Sequence, residues 1–66
     1  DLAILQFRKV IELDAEYLAA YLQLGLIYEK KKDFPRAQEA WKKVLELAKD
    51  DNVKRIAQKH LNNLKP

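Results

Sequence analysis

Residues 21–44 read YLQLGLIYEKKKDFPRAQEAWKKV, and their spacing decides the fold. Tyr21, Leu24, Gly25 and Tyr28 recur at helical spacing and share one face. A basic turn, Lys30-Lys31-Lys32-Asp33, comes next. Ala37, Trp41 and Val44 then repeat the same spacing on a second helix. Gly25 is the only glycine of the chain and falls mid-helix, where glycine costs roughly 1 kcal/mol relative to Ala. Close approach of a neighbouring helix accounts for it, and Ala37 and Ala40 are the small residues expected opposite. The stretch is an antiparallel helix pair packed tightly at Gly25.

Upstream, Asp1–Asp14 carries apolar residues at Leu2, Ala3, Leu5, Phe7, Val10, Ile11 and Leu13, which makes a broad amphipathic helix with Asp1 as its cap. This segment matches the chain 34 residues later: Ala3 with Ala37, Phe7 with Trp41, Val10 with Val44, Glu12 with Glu46 and Leu13 with Leu47. The match is an internal repeat. The second helix is predicted from about Ala15 to Lys31, apolar almost all round and so covered on more than one side. The third runs from about Phe34 to Ala48 or Lys49, with Asp33 as N-cap and Pro35 in the first turn. The fourth begins after Asp50-Asp51-Asn52 and ends near Asn62-Asn63 and Pro66. A register two residues longer than the repeat places its Ala57, His60, Leu61 and Leu64 inward. The fold class is all-α, four helices in antiparallel helix–turn–helix array. The predicted core is Phe7, Val10, Tyr21, Leu24, Gly25, Tyr28, Ala37, Trp41, Val44, Ala57, Leu61 and Leu64.

Tyr21, Leu24, Gly25, Tyr28, Ala37 and Trp41 together resemble the tetratricopeptide repeat, a helix–turn–helix unit of 34 residues. Three positions depart from that family's pattern: Val44 replaces the usual Ala, Lys32 a common turn glycine and Lys49 the closing proline. The resemblance implies that residues 1–14 are the second helix of a preceding repeat, 15–49 a full repeat and 52–65 a polar-backed capping helix. The chain starts at Asp1 rather than Met, which leaves two readings open: a fragment or processed piece of a longer protein, or a recombinant chain with its tag removed.

Sixty-six residues make one small domain, and a chain of this size buries only about 60% of its unfolded surface. With 48% hydrophobic and 35% charged residues it is not a disordered composition. There is no Cys, Ser, Thr or Met and a single His, so the usual nucleophiles are missing and no enzyme, cofactor or metal site is expected. His60 reads as a partly buried residue of the capping helix. One glycine excludes a glycine-rich phosphate loop. No signal or membrane-spanning segment is visible, and the sequence leaves the compartment open, with the cytoplasm slightly favoured. The net charge of +3 is spread over interleaved acids and bases, and the aromatic residues fall on core positions. Weak nucleic-acid binding through the basic face is therefore the minor alternative.

The resemblance also implies that the first helix of each repeat lines a concave surface. The partner-binding residues expected there are Ala19, Leu22, Gln23, Leu26, Glu29 and Lys30, joined by Arg55, Gln58 and Asn62 of the fourth helix under the longer register. Members that bind chaperones clamp a peptide carboxylate with Lys and Asn; here Leu22 and Leu26 take the middle and do not support that clamp. The expected function is a protein–protein interaction module for an apolar or amphipathic peptide. The rival is a structural end of a longer array, in which Leu22 and Leu26 pack on an upstream helix and the first-helix face makes a homo-oligomer.

Overall fold

The computed structural model describes residues 1–64. The expected helix end at residue 65 and the terminating Pro66 lie outside them. Four helices follow one another: α1 (Leu2–Leu13), α2 (Leu18–Lys30), α3 (Phe34–Leu47) and α4 (Asp51–Asn63). Each packs on the next in sequence, and neither α1 with α3 nor α2 with α4 has a Cα pair within 8 Å. No helix among the described residues is long and apolar enough to cross a membrane.

Three of the four helices start on an aspartate whose carboxylate accepts backbone N–H bonds that the first turn would leave unpaired. Asp1 accepts from the N–H groups of Ala3 (2.9 Å) and Ile4 (3.4 Å), and Asp50 from that of Asn52 (2.7 Å). Asp33 accepts from the Arg36 N–H and also from its guanidinium at 2.8 Å. That hydrogen bond, with the carboxylate's charge, raises the Arg36 guanidinium further above its ordinary value. The second helix departs from expectation by starting at Leu18 rather than Ala15. Asp14 takes the Glu16 N–H at 3.1 Å, and this side-chain turn competes with helix. The Tyr21 hydroxyl donates to the Ala15 carbonyl at 2.8 Å and pins the connection.

The basic turn after α2 explains one departure from the repeat pattern. Lys32 has φ +61°, the left-handed region that favours glycine. Its N–H donates to the Glu29 carbonyl and the Asp33 N–H to the Tyr28 carbonyl, at 3.0 and 2.9 Å, which is the bond pair of a Schellman motif. A lysine at this position carries the strain of a Cβ in left-handed backbone. Lys32→Gly is therefore expected to stabilise the domain by about 0.5–1 kcal/mol. Thermal unfolding followed by circular dichroism checks it, at about 4–8 °C per kcal/mol for a domain of this size. A lower midpoint would mean that the Lys32 side chain makes contacts worth more than that strain.

The core lies along α3. Ala37, Trp41 and Val44 are fully buried, together with Ala57 of α4 and Ala20 of α2, and Leu61 of α4 and Leu24 of α2 are buried beside them. Gly25 is also buried. Phe7 and Val10, expected in the core, are only half-buried, and α1 has no buried residue. The reason is that α1 packs on α2 alone and its other sides stay open. Tyr21, Tyr28 and Leu64 are half-buried as well. The small residues Ala20, Ala40 and Ala48 take up core positions instead. Opposite Gly25 stands Trp41 rather than Ala37 or Ala40. A Cβ on Gly25 would lie 2.7 Å from Trp41 Cε2, 2.8 Å from Nε1 and 3.0 Å from Cδ2. Three consecutive ring atoms at nearly equal distance place the glycine over the face of the indole.

Candidate functional site

One knot of side chains ties three helices together. The Trp41 ring of α3 stacks on the His60 ring of α4, with centroids 4.1 Å apart and planes 13° from parallel. Trp41 Nε1–H donates to Glu29 Oε2 of α2, and His60 Nδ1 lies 2.7 Å from the same oxygen. A carboxylate only accepts, so His60 carries a proton on Nδ1. Gly25 and His60 both lie over ring faces and so flank the indole from its two sides. Glu29, expected on the exposed rim, is half-buried: 25% of its side chain is accessible, and 28% of that of His60. The carboxylate turns inward because a buried indole N–H needs an acceptor. Glu29 and His60 meet as a pair, with no third His, Cys, Asp or Glu joining them among the described residues to make a metal site.

The rest of α2 sorts into stripes at steps of three and four. Leu18, Leu22, Gly25 and Glu29 form the stripe turned to α3, and Leu18 and Leu22 pack against the core there. Ala19, Gln23, Leu26 and Lys30 form the outer stripe. Ala19, Gln23 and Lys30 are exposed, while Leu26 is half-buried against the same core.

On α4 the structure separates what the longer register had grouped. His60 reaches α2 through Glu29, so its side of α4 is the side that looks along α2. Ile56, one turn earlier, shares that side and is 46% exposed. Lys59 and Asn63 follow it on the stripe 56, 59, 63, and both are exposed. Arg55, Gln58 and Asn62 are exposed too, but sit roughly 150° round the axis from His60 at 3.6 residues per turn. Gln58 and Asn62 are occupied with each other at 3.1 Å. These three form the solvated outer side of α4, and the row that continues α2 across the gap is Ile56, Lys59 and Asn63. The signal for this in the sequence was Ile56, an apolar residue four positions before His60 with no place in the inward set.

A second concavity, a cleft of about 520 Å³, lies on the other side between α1 and α3. Tyr21, Leu24 and Tyr28 floor it, and its walls carry both signs of charge. Of its basic residues Arg36 and Lys43 are held by Asp33 and Glu46.

Antiparallel helices packed in sequence order around a tryptophan, with an open row on alternate helices, define a helical-repeat module. The family model described as Tetratricopeptide repeat matches residues 18–51, which cover α2 and α3, and the chain belongs to that family. No curated protein and no solved structure matches the chain. Tetratricopeptide repeats generally mediate protein–protein interaction and are typically non-enzymatic.

Proposed function

We propose that the chain binds an apolar or amphipathic peptide segment along the row formed by α2 and α4. The observation that carries this reading is the gap between the two helices. No Cα pair bridges it within 8 Å, and apolar Leu26 and Ile56 face it among exposed polar residues. An apolar strip with a polar rim is the pattern that receives an amphipathic helix or an extended apolar segment. Leu22 and Leu26 pack on the core, so charges there would disturb the fold; Ala19 and Ile56 are the informative positions. Peptides selected from a displayed random library against the chain are expected to share an apolar motif. They should lose at least about ten-fold in affinity to Ala19→Asp/Ile56→Asp. Selected peptides that bind this variant unchanged would remove the reading.

A second reading rests on α1. Leu2, Leu5 and Leu13 lie on one side of it and are 74%, 64% and 86% exposed. The matching positions on α3 are Arg36, Glu39 and Leu47, of which the first two are exposed and charged. Three exposed leucines on one side, with Lys9 among them, suit a helix of a preceding repeat or a second copy. Leu5→Asp in the same experiment separates the readings. It leaves peptide affinity unchanged if the α2–α4 row binds, and dissolves any dimer seen by sedimentation if α1 self-associates.

A further inference from the structure

Resting on the peptide-binding reading above, we propose that the partner segment is acidic as well as apolar, with carboxylates beside its apolar ridge that pair with Lys30 and Lys59. The two stripes that border the gap contain no Asp or Glu: Ala19, Gln23, Leu26 and Lys30 on α2, and Ile56, Lys59 and Asn63 on α4. The nearest carboxylate, Glu29, turns inward to Trp41 and His60. Lys30 and Lys59 are both exposed, and neither has a carboxylate within 4.0 Å among the described residues. By contrast Lys31, Arg36 and Lys43 each have one.

The level of the two cations follows from the knot. Glu29 meets His60, so Lys30 and Lys59 stand on opposite sides of the gap at the same end of α2 and α4. Leu26 and Ile56 lie about one turn below them. The surface thus offers two unpaired cations above an apolar pair. Complementarity of charge sets which partner approaches and in which register, more than how tightly it holds. A peptide is favoured over a nucleic acid because the gap shows aliphatic side chains. The one tryptophan is fully buried and stacked on His60, and provides no platform for a base.

The test uses the full chain and three probes. The first is a synthetic amphipathic helical peptide about 15 residues long, long enough to lie along α2, with Leu on one face and Glu flanking it. The second has Gln for every Glu, and the third is a single-stranded oligonucleotide. The acidic peptide is expected to bind about ten-fold tighter than its Gln counterpart at low salt, the sum of two rim ion pairs. That margin should shrink as salt rises toward about 0.5 M. In Lys30→Glu/Lys59→Glu, two exposed substitutions whose fold is checked by circular dichroism, the preference should reverse, so that the Gln peptide binds tighter than the acidic one. Equal binding of acidic and neutral peptides would overturn the proposal and leave the apolar row standing. Tighter binding of the oligonucleotide, or an acid preference that survives the charge swap, would also overturn it. Failure of both peptides to bind would instead remove the peptide-binding reading on which it rests.

Discussion

Glu29→Ala is expected to cost the domain about 2–3 kcal/mol, far more than a half-exposed glutamate near a helix end ordinarily contributes. Trp41 is fully buried, and its ring N–H is the only polar atom it has. The Glu29 carboxylate is its acceptor, and among the described residues no buried side-chain polar atom lacks a partner. Removing that acceptor leaves a donor in the core with nothing to bond, and it releases His60 from the same oxygen. His60 can recover a water because part of its ring is accessible; the indole cannot. Glu29→Gln keeps one carbonyl oxygen for Trp41 but loses the charge assistance, so about 1 kcal/mol is expected. Urea unfolding followed by circular dichroism should give the order wild type, Gln, Ala. A chain of this length has on the order of 0.1 kcal/mol of stability per residue. The Ala variant should therefore lose about a third or more of the domain's stability, and its urea midpoint should fall in proportion. An Ala variant within about 0.5 kcal/mol of wild type would mean that the knot contributes nothing net.

This knot marks where sequence reading stopped. The helices themselves were legible because each has a capping aspartate or a 3.6-residue pattern, and the match of Phe7 to Trp41 and Val10 to Val44 exposed the repeat. The role of Gly25 was half legible: a close approach was foreseeable, but not that the approaching group is an indole. The Glu29–His60 contact joins residues 31 positions apart on different helices, and no periodicity within either helix reports it. The side of α4 that continues the α2 row was hard to read for a related reason. With three roughly equal faces on a short helix, the apolar pattern shows which face is inward but not which of the others looks along α2. The contact of His60 with Glu29 marks the side of α4 nearest α2, and Ile56 shares that side while Arg55, Gln58 and Asn62 lie away from it. Lys32 was legible as a departure from pattern, and its positive φ shows that the backbone kept the glycine conformation while the residue changed.

Gly25→Ala sets two known effects against each other, and the structure decides the sign. Helix propensity favours Ala at a mid-helix position by roughly 1 kcal/mol. Against it, the new methyl would sit 2.7 Å from Trp41 Cε2, closer than side-chain carbons approach. The indole has nowhere to retreat: the His60 ring covers its other face and Glu29 holds its N–H. Overpacking of this kind costs about 1–3 kcal/mol; with the roughly 1 kcal/mol of propensity set against it, a net loss of up to about 2 kcal/mol is expected for Ala, and about 3 kcal/mol for the bulkier, branched Val. The cause can be separated from helix propensity by shrinking the opposing ring. Phe is the residue that α1 carries at the matching repeat position, Phe7. In the Trp41→Phe background the added methyl at position 25 meets a smaller ring, and the same Gly25→Ala change should cost at least about 1 kcal/mol less than in the wild type. The cycle is read from urea midpoints of the four proteins at constant slope. If Gly25→Ala stabilises the wild-type domain as it would an open helix, the glycine is not there to seat the indole. The tight α2–α3 pairing around Trp41 would then have to rest on Ala37 and Ala40 after all.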